Sequence, residues 1–448
     1  MSVVRAPEAS RRGRPRGRNE ILRGTKLGGV EPAELAERFG TPFYAYDLDV
    51  VGSQAAALRA ALPANFELAY AVKANPNLAI IRHLGGLGLG ADVASGGELA
   101  HVLRAGIQGE RIVFTGPGKR DAELEAAVAA RVRVVTVESP GELERLDGIA
   151  AAAGVRQPIL LRSAVTEAAR LERVRLVGDD GAGKFGMDAA DLRRCAAHAV
   201  ASPNLDLLGM HAFGASNLLD AGALATHIEA TVRHARELAA EAGVPLQLVD
   251  AGGGLGIPYE THEDGLDLVT LGGRLRDLAA SMAADPATRE TRVLLEPGRY
   301  LVGASGAYVA RVTDRKSVGG HHVVVLDGGI HHVLRPVLVG QEHRVRVLTG
   351  RSVGASRSGH RFPVTVAGPL CSGLDVFAQS AVMPLPDVGD LIAVLDVGAY
   401  GATESMPFFL SHPLPPEIAI RDGRPFLARP RVEPATWLDW QLDEAPEG

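Results

Sequence analysis

The chain has 448 residues, of which 46% are hydrophobic and 22% are charged, and its formal net charge is -6. That length is enough for one large domain or two, and the mildly acidic balance argues against nucleic acid as the main partner. Apolar runs fall short of the roughly 18 residues that a membrane helix needs, and the N-terminus has no apolar secretion signal. We therefore expect a cytoplasmic protein without a membrane partner.

The first segment, residues 1–24, is rich in arginine among Pro, Gly and Ser and has little apolar content. This composition predicts a disordered basic tail, because little apolar surface is available to offset the loss of chain entropy. A solvated extension is the simplest interpretation, and contact with an acidic partner or RNA is the alternative.

From about residue 40 the chain alternates short β-branched runs with stretches of helical composition, which is typical of βα units around a parallel sheet. Eight candidate strands fall at 67–73, 89–93, 111–115, 132–137, 158–163, 206–213, 246–251 and 292–295. Eight such units predict a (β/α)8 barrel, which we assign to residues 25–305.

After residue 305 the pattern changes to valine-rich alternation, as in HHVVVLDG and DLIAVLDVG. This alternation predicts an antiparallel β domain over residues 306–448. The expected fold class is therefore α/β, with a barrel followed by a smaller β domain.

The reactive groups of a (β/α)8 barrel lie where its strands end and the following loops begin. Several polar residues and glycines of this chain fall at such places: Lys73, Asp92, Arg162, His211, Gly252, Gly253, Gly254, Glu296 and Arg299. We expect these residues to converge on one rim of the barrel.

The residue types at this rim suggest a particular chemistry. Lys73 follows an apolar strand, where an amine loses preference for its charged form and can form a Schiff base with an aldehyde; a lone lysine is more often a surface residue. The glycines at 252–254 let backbone amides approach an anion, although a tight turn would explain them too. Glu296 and Arg299 can reach a ring nitrogen and a phosphate, or form an ordinary ion pair. Together they describe a pyridoxal 5'-phosphate (PLP) site.

The motifs around these residues resemble the fold-type III PLP-dependent decarboxylases, which include diaminopimelate, ornithine and arginine decarboxylases. The resemblance covers residues 40 to 415 and rests on nine motifs in family order: FYAYD (43–47), YAVKANPN (70–77), GADVASGGEL (90–99), GKFGM (183–187), GMHAFGASN (209–217), DAGGGLG (250–256), EPGRY (296–300), CSGLD (371–375) and GAYGA (398–402). It implies α-decarboxylation of an L-amino acid through aldimine and quinonoid intermediates, with PLP as cofactor.

The resemblance also implies roles for individual residues. Lys73 would hold PLP, and Glu296 would bond its pyridine nitrogen. Alanine racemases of this fold have an arginine at that position, so Glu296 favours decarboxylation over racemisation. Asp92 and Arg162 match positions near the lysine and the ring oxygen. Cys371 matches a cysteine that protonates the α-carbon across a dimer interface, which implies a homodimer with shared active sites. The phosphate-binding positions match Ser216, Gly252, Gly253, Gly254, Arg299 and Tyr400.

Two departures from the family pattern bear on the cofactor ring and the substrate. Phe213 stands where the family has a ring-stacking histidine; His211 could contact the cofactor instead, or be a strand-end histidine. Ser372 stands where decarboxylases of free amino acids carry an acid for the distal ammonium. In RPVLV (335–339), Val339 replaces a tyrosine of diaminopimelate decarboxylases.

With these departures, the chain resembles more closely the family members that act on an amino acid held as a thioester on an acyl-carrier protein. A distal end without an amine would explain the missing acid at Ser372, because an ammonium would be poorly paired there. Arg335, Ser372 and Glu404 are the candidate substrate-facing residues. Decarboxylation of free diaminopimelate, ornithine, lysine or arginine is the alternative.

Other functions on the same scaffold are less favoured. A non-catalytic PLP-binding protein would lack the C-terminal β domain and its cysteine motif, and an inhibitor-type member would lack Lys73. Glu296 argues against a racemase. An eliminase would need a pair of metal ligands, whereas His331 and His332 are expected to face opposite ways as strand neighbours, and two cysteines are too few for a zinc cluster. No metal site is therefore expected.

Overall fold

A computed structural model describes residues 20–164, 183–214, 216–349 and 361–441. The chain begins with a small hairpin, a helix and a strand: β1 (Leu22–Arg23), β2 (Lys26–Leu27), α1 (Pro32–Phe39) and β3 (Phe43–Asp47). None of the helices in the described ranges is both long and apolar enough to cross a bilayer.

Eight parallel strands then close into a barrel in chain order, and the last pairs with the first. They are β4 (Phe66–Ala71), β5 (Gly90–Val93), β6 (Ile112–Phe114), β7 (Val134–Val137), β8 (Gln157–Arg162), β9 (Leu205–His211), β10 (Leu248–Asp250) and β11 (Arg292–Leu295). The predicted barrel is confirmed, and every predicted strand is present with its ends shifted by no more than two residues.

Helices lie between successive strands of the chain and surround the barrel. They are α2 (Leu48–Ala61), α3 (Leu78–Gly86), α4 (Gly96–Arg104), α5 (Asp121–Ala129), α6 (Pro140–Ala153), α7 (Ala189–Ala201), α8 (Ala221–Ala242), α9 (Leu268–Ala284) and the short α10 (Arg299–Val302). Side-chain caps fix many of their starts: the Asp220 carboxylate, for example, accepts hydrogen bonds from the first backbone amides of α8. Gly243 then ends this helix in the left-handed conformation.

The rest of the chain forms a second sheet in which most strand pairs are antiparallel. Its elements are β12 (Gly306–Val318), β13 (His321–Leu326), α11 (Arg335–Val339), β14 (Val345–Val347), β15 (Phe362–Ala367), β16 (Val376–Met383), β17 (Leu391–Leu395), β18 (Glu417–Arg421), β19 (Arg424–Arg429) and α12 (Ala435–Leu438). The predicted β domain is therefore confirmed, although β13 pairs with β15, and β3 with β18, in parallel.

The N-terminal segment packs with this second sheet. Strand β3 lies between β12 and β18, although its sequence position falls inside the range 25–305 that we assigned to the barrel. Ile21 is buried and Leu22–Arg23 pairs with Lys26–Leu27, so the end of the expected disordered tail is ordered. The remainder of that tail, residues 1–19, lies outside the described residues.

Candidate active site

Lys73 lies on a single 3-10 turn, Val72–Ala74, directly after strand β4. Its Nζ is 3.9 Å from Oδ2 of Asp92 and 5.4 Å from the centre of the Phe213 ring. Burial lowers the pKa of Lys73, but the Asp92 carboxylate and other acidic groups outweigh it and hold the pKa above its ordinary value. The expectation that apolar surroundings favour the neutral amine is therefore wrong for this structure.

Asp92 closes strand β5 and is buried. Its carboxylate accepts a hydrogen bond from the Thr115 hydroxyl. Burial, followed by the charge of Glu296, raises the pKa of Asp92 to about 7. Asp92 thus holds the Lys73 ammonium while being only weakly acidic itself.

The glycine loop follows strand β10 and requires residues without a side chain. Gly252 and Gly254 have φ angles of 67° and 91°, which L side chains rarely adopt. A Cβ on Gly253 would lie 2.5 Å from the carbonyl oxygen of Glu296. The loop therefore exposes backbone that can approach an anion closely.

Glu296 directly follows strand β11 and is 3% exposed. Its Oε1 has no hydrogen-bond partner among the described residues, and its Oε2 is 3.7 Å from Nε2 of His211. Burial, followed by the charge of Arg162, lowers the pKa of His211 well below its ordinary value, so the histidine is neutral. A buried, unpaired carboxylate oxygen of this kind fits a protonated ring nitrogen.

Arg299 gathers the groups expected to bind a phosphate. It donates hydrogen bonds to the Tyr259 hydroxyl at 2.6 Å and to Oγ of Ser216 at 3.4 Å. Its guanidinium carbon lies 4.7 Å from the centre of the Tyr400 ring. Tyr400 comes from the β domain, and its backbone N–H donates to the carbonyl of Ala74, so both domains build this corner.

Arg162 is held by Glu138, which directly follows strand β7, and by Phe185 in the loop before helix α7. Its guanidinium donates to Glu138 at 2.6 Å and lies 4.6 Å from the centre of the Phe185 ring. Thr115 and Glu138 were not predicted, although both follow barrel strands and the strand-end rule points to them. Tyr259 was also missed, and its loop carries no periodic signal.

These residues enclose a cavity of about 270 Å³. Its lining includes Lys73, Thr115, Arg162, Phe185, His211, Phe213, Ser216, Glu296, Arg299, Tyr400 and Glu404. Both His211 and Phe213 line this cavity, so each of them is placed to contact the cofactor ring. An amine, an anion-binding corner and an unpaired buried carboxylate in one cavity fit PLP.

A second cavity of about 690 Å³ shares Ser216 and Arg299 with the first, and its lining includes Arg335. Arg335 is 2% exposed, and its Nε and Nη1 have no hydrogen-bond partner among the described residues. Its Nη1 is 3.8 Å from Oε2 of Glu404. The structure therefore brings Arg335 and Glu404 together beside the cofactor cavity.

Cys371 and Ser372 lie on the loop between β15 and β16, away from the described residues that line the two cavities. Cys371 is exposed. The Ser372 hydroxyl accepts a hydrogen bond from the backbone N–H of Leu374. Neither residue is joined to the other candidate site residues within one chain.

His331 and His332 do not face opposite ways. Their ring centres are 3.7 Å apart, because the two residues lie in a turn after β13 and not in a strand. The ring nitrogens of His332 form hydrogen bonds with the Tyr308 hydroxyl and the Pro413 carbonyl. Both histidines are buried, and neither is among the residues that line the 270 Å³ cavity.

Comparison with known proteins places the chain in one family. Residues 48–303 match the model of the pyridoxal-binding domain of pyridoxal-dependent decarboxylases. The L-glutamyl-[BtrI acyl-carrier protein] decarboxylase of Niallia circulans is 31% identical over 89% of this chain and 92% of its own. Diaminopimelate decarboxylase of Aquifex aeolicus is 31% identical over 90% and 92% of the two chains.

Solved structures give the same result. Helicobacter pylori diaminopimelate decarboxylase with L-lysine is 30% identical, has a TM-score of 0.81 and covers 91% of this chain and 98% of its own. The enzyme from M. jannaschii reaches a TM-score of 0.85 at 27% identity, over 94% and 96% of the two chains. By these matches, the chain belongs to the PLP-dependent amino-acid decarboxylases.

Proposed function

We propose that this decarboxylase removes the α-carboxyl group of an L-amino acid whose distal end is joined to an acyl-carrier protein. The observation that carries the proposal is the pair of cavities that meet at Ser216 and Arg299. The inner cavity is lined by the amine of Lys73, the carboxylate of Glu296 and the guanidinium of Arg299, which suit the cofactor's aldehyde, ring nitrogen and phosphate. The outer one is large enough for an extended arm, and the position next to Cys371 is the neutral Ser372.

The chain's own residues bind and orient the reacting groups. PLP supplies the electron sink that accepts the electron pair of the bond to the departing carboxyl group. Lys73 would supply the amine for the cofactor's aldehyde, and Asp92 lies 3.9 Å from that amine. Glu296 would hold a proton at the pyridine nitrogen. Arg299, with the Ser216 hydroxyl that it contacts, would neutralise the phosphate.

The substrate's distal end would extend into the outer cavity. An amino acid joined to a carrier through its side chain keeps its α-amino and α-carboxyl groups free for the reaction. Arg335, which lines this cavity and whose Nε and Nη1 have no hydrogen-bond partner among the described residues, would hold a carbonyl or carboxylate oxygen of the substrate. Glu404, which lies 3.8 Å away, would orient Arg335.

A free diamino acid is the second candidate substrate. The outer cavity is also lined by the carboxylates of Asp220, Glu260, Glu263 and Asp264, which would attract a distal ammonium. Diaminopimelate decarboxylases are among the relatives at 31 to 34% identity. The two candidates differ in whether the substrate must arrive on a carrier.

The second subunit would complete the site. Cys371 is exposed on its loop, as expected of a residue that serves a neighbouring chain, and we propose that it protonates the α-carbon in the partner's site. A homodimer in the cytoplasm, with two shared active sites, is part of this proposal.

Release of carbon dioxide from the purified, PLP-loaded protein tests the substrate. Glutamate, diaminopimelate, ornithine, lysine and arginine are each offered free, and then glutamate is offered as a thioester on a phosphopantetheine-bearing carrier protein. We expect release from the carrier-bound amino acid and background release from the free ones. Rapid release from any free amino acid would overturn the carrier-bound proposal and name the substrate.

Two variants serve as controls. Lys73→Ala should abolish release from every substrate. Arg335→Gln should raise KM for the carrier-bound substrate at least about tenfold, because an oxygen of the substrate loses a charge-assisted hydrogen bond, while the PLP content stays unchanged. An unaltered KM would remove Arg335 from the substrate site.

A further inference from the structure

The carboxyl group of Asp250 lies close to that of Glu296, which lines the cofactor cavity. Asp250, at the end of β10, is fully buried, and Glu296 is 3% exposed. An oxygen of each and a ring nitrogen of His211 all lie within 4.8 Å of one another. Asp250 is the first residue of the DAGGGLG motif (250–256).

Asp250 and Glu296 are each hydrogen-bonded to Gly252. Its Oδ1 accepts the N–H of Gly252 at 2.9 Å, which leaves Oδ2 for Glu296. The N–H of Glu296 in turn donates to the Gly252 carbonyl at 2.8 Å. Asp250 therefore sets the position of the first glycine and faces the carboxylate that meets the pyridine nitrogen.

Two adjacent carboxylates in a dry site cannot both ionise without a cation, because desolvation penalises each charge and the charges repel. The cations near this pair already face other acids: Lys73 is 3.9 Å from Asp92, and Arg162 is bonded to Glu138. His211 is neutral, as its lowered pKa indicates. Burial, followed by the charge of Glu296, raises the pKa of Asp250 well above its ordinary value.

We propose that Asp250 is a positioning residue that stays protonated and donates a hydrogen bond to Glu296, so that Glu296 carries a single, fixed negative charge toward the pyridine nitrogen. Asp250 thus acts on the cofactor through Glu296 and touches neither cofactor nor substrate. This inference rests on the proposed role of Glu296 toward PLP, but it does not depend on which amino acid is the substrate.

The test compares Asp250→Asn with Asp250→Leu in PLP-stripped protein to which PLP is added back. An asparagine reproduces the protonated acid, since its oxygen can accept from Gly252 and its amide can donate to Glu296. We expect Asp250→Asn to bind PLP within about threefold of wild type, and Asp250→Leu to bind at least about tenfold more weakly. The pH titration of the visible cofactor band should match wild type in the asparagine variant only.

A double-mutant cycle separates action through Glu296 from a merely structural role. In a Glu296→Gln background, Asp250→Leu should have little further effect on PLP affinity or on the visible band. An asparagine variant as defective as the leucine variant would show that Asp250 works as an anion and would overturn the proposal. If the leucine variant does not fold, as judged by the melting temperature without PLP, the asparagine titration still decides.

The outcome stays distinct from that of the substrate experiment, because PLP affinity and the visible band require no substrate. Failure of carbon dioxide release together with the expected Asp250 results would refute the proposed substrate and leave the inference standing.

Discussion

At the scale of single residues, Phe213 is the departure with the clearest structural consequence. A Cβ on Gly252 would lie 2.6 Å from its ring, and the ring centre is 5.4 Å from Nζ of Lys73. The ring therefore packs between the glycine loop and the lysine, where a flat cofactor would be stacked. We therefore expect this position to require an aromatic ring that can stack on the cofactor, and not a hydrogen-bonding atom.

Replacing Phe213 tests this interpretation. Phe213→Ala should weaken PLP binding about fivefold, because the loss of a stacked aromatic ring removes roughly 1 kcal/mol. Phe213→His should keep affinity close to wild type. Both are measured by absorbance titration of stripped protein, with Phe426→Ala, a partly exposed site in β19, as the control. If histidine is as weak as alanine, stacking is not the contribution of this position.

His331 gives a prediction on pH. Its ring is fully buried without a hydrogen-bond partner among the described residues, and burial, with His412 nearby, lowers its pKa to about 4. Below about pH 6.5 the unfolded chain binds a proton at this histidine that the folded chain excludes, so stability falls from pH 6.5 toward pH 4.

His331→Phe removes that titration. The variant should therefore gain on wild type by about 2 kcal/mol between pH 8 and pH 5, as measured by urea unfolding at both values. His101→Asn, at an exposed histidine, should leave the difference unchanged. Parallel pH profiles for His331→Phe and wild type would contradict the assignment.

At the scale of elements, a buried lysine ties two neighbouring barrel connections together. Nζ of Lys119 donates to the carbonyls of Gly116 and Thr136 and to Oε1 of Glu142, each at 2.7 Å. Lys119 and Glu142 are each 3% exposed. The loop after β6 is thereby fixed to strand β7 and helix α6.

Lys119→Met should destabilise the protein by about 3–5 kcal/mol, because Glu142 would be left buried without its cation. The double variant Lys119→Met/Glu142→Leu should recover most of that loss. Arg193→Ala, which breaks an exposed ion pair with Glu241, should cost no more than about 1 kcal/mol. Denaturant unfolding measures all three, and a double variant no more stable than Lys119→Met would contradict the pairing argument.

The sequence predicted the barrel because each of its strands is a short apolar run flanked by helical spacing, a signal that is local. It did not predict the place of β3, since Tyr46 pairs with Gly306, far away in the chain, and an apolar run does not specify such a partner. The same limit explains the histidine pair, which was interpreted with the alternation of a strand although it lies in a turn.

For the site, the strand-end rule placed Lys73 and Glu296 at the same rim, where both line one cavity, because position along a barrel strand fixes which rim a residue reaches. The same rule also applies to Thr115 and Glu138. It could not give the protonation of Lys73, since that depends on how close Asp92 comes to the amine. Nor could it find Tyr259, whose contact with Arg299 depends on the path of an irregular loop.

At the scale of the whole molecule, the barrel alone does not make the site. The β domain contributes Tyr400, Glu404 and Arg335, and its backbone is bonded to the lysine-bearing turn through Asn75, whose amide donates to the Gly398 carbonyl. The remaining candidate, Cys371, is exposed and is not among the residues that line either cavity. Under the proposed function, a second chain would supply this group.

Mixing two inactive variants tests whether the partner supplies that group. Lys73→Ala and Cys371→Ala should each lower turnover strongly, but in a random mixture half of the dimers pair one of each. Each such dimer has one site with both residues intact, so the mixture should regain about a quarter of wild-type turnover. Turnover is measured after subunits are exchanged by mild denaturation and refolding, with each variant refolded alone for reference.

Mixing Lys73→Ala with Glu296→Gln is the matched control. Those two residues line one cavity of one chain, so each site of a mixed dimer still lacks one of them, and turnover should not recover. Recovery in the control, or its absence when Lys73→Ala is mixed with Cys371→Ala, would mean that Cys371 does not act across the interface. Recovery confined to the first mixture would establish that two chains are needed for each reaction, because no monomer in that mixture holds both the lysine and the cysteine.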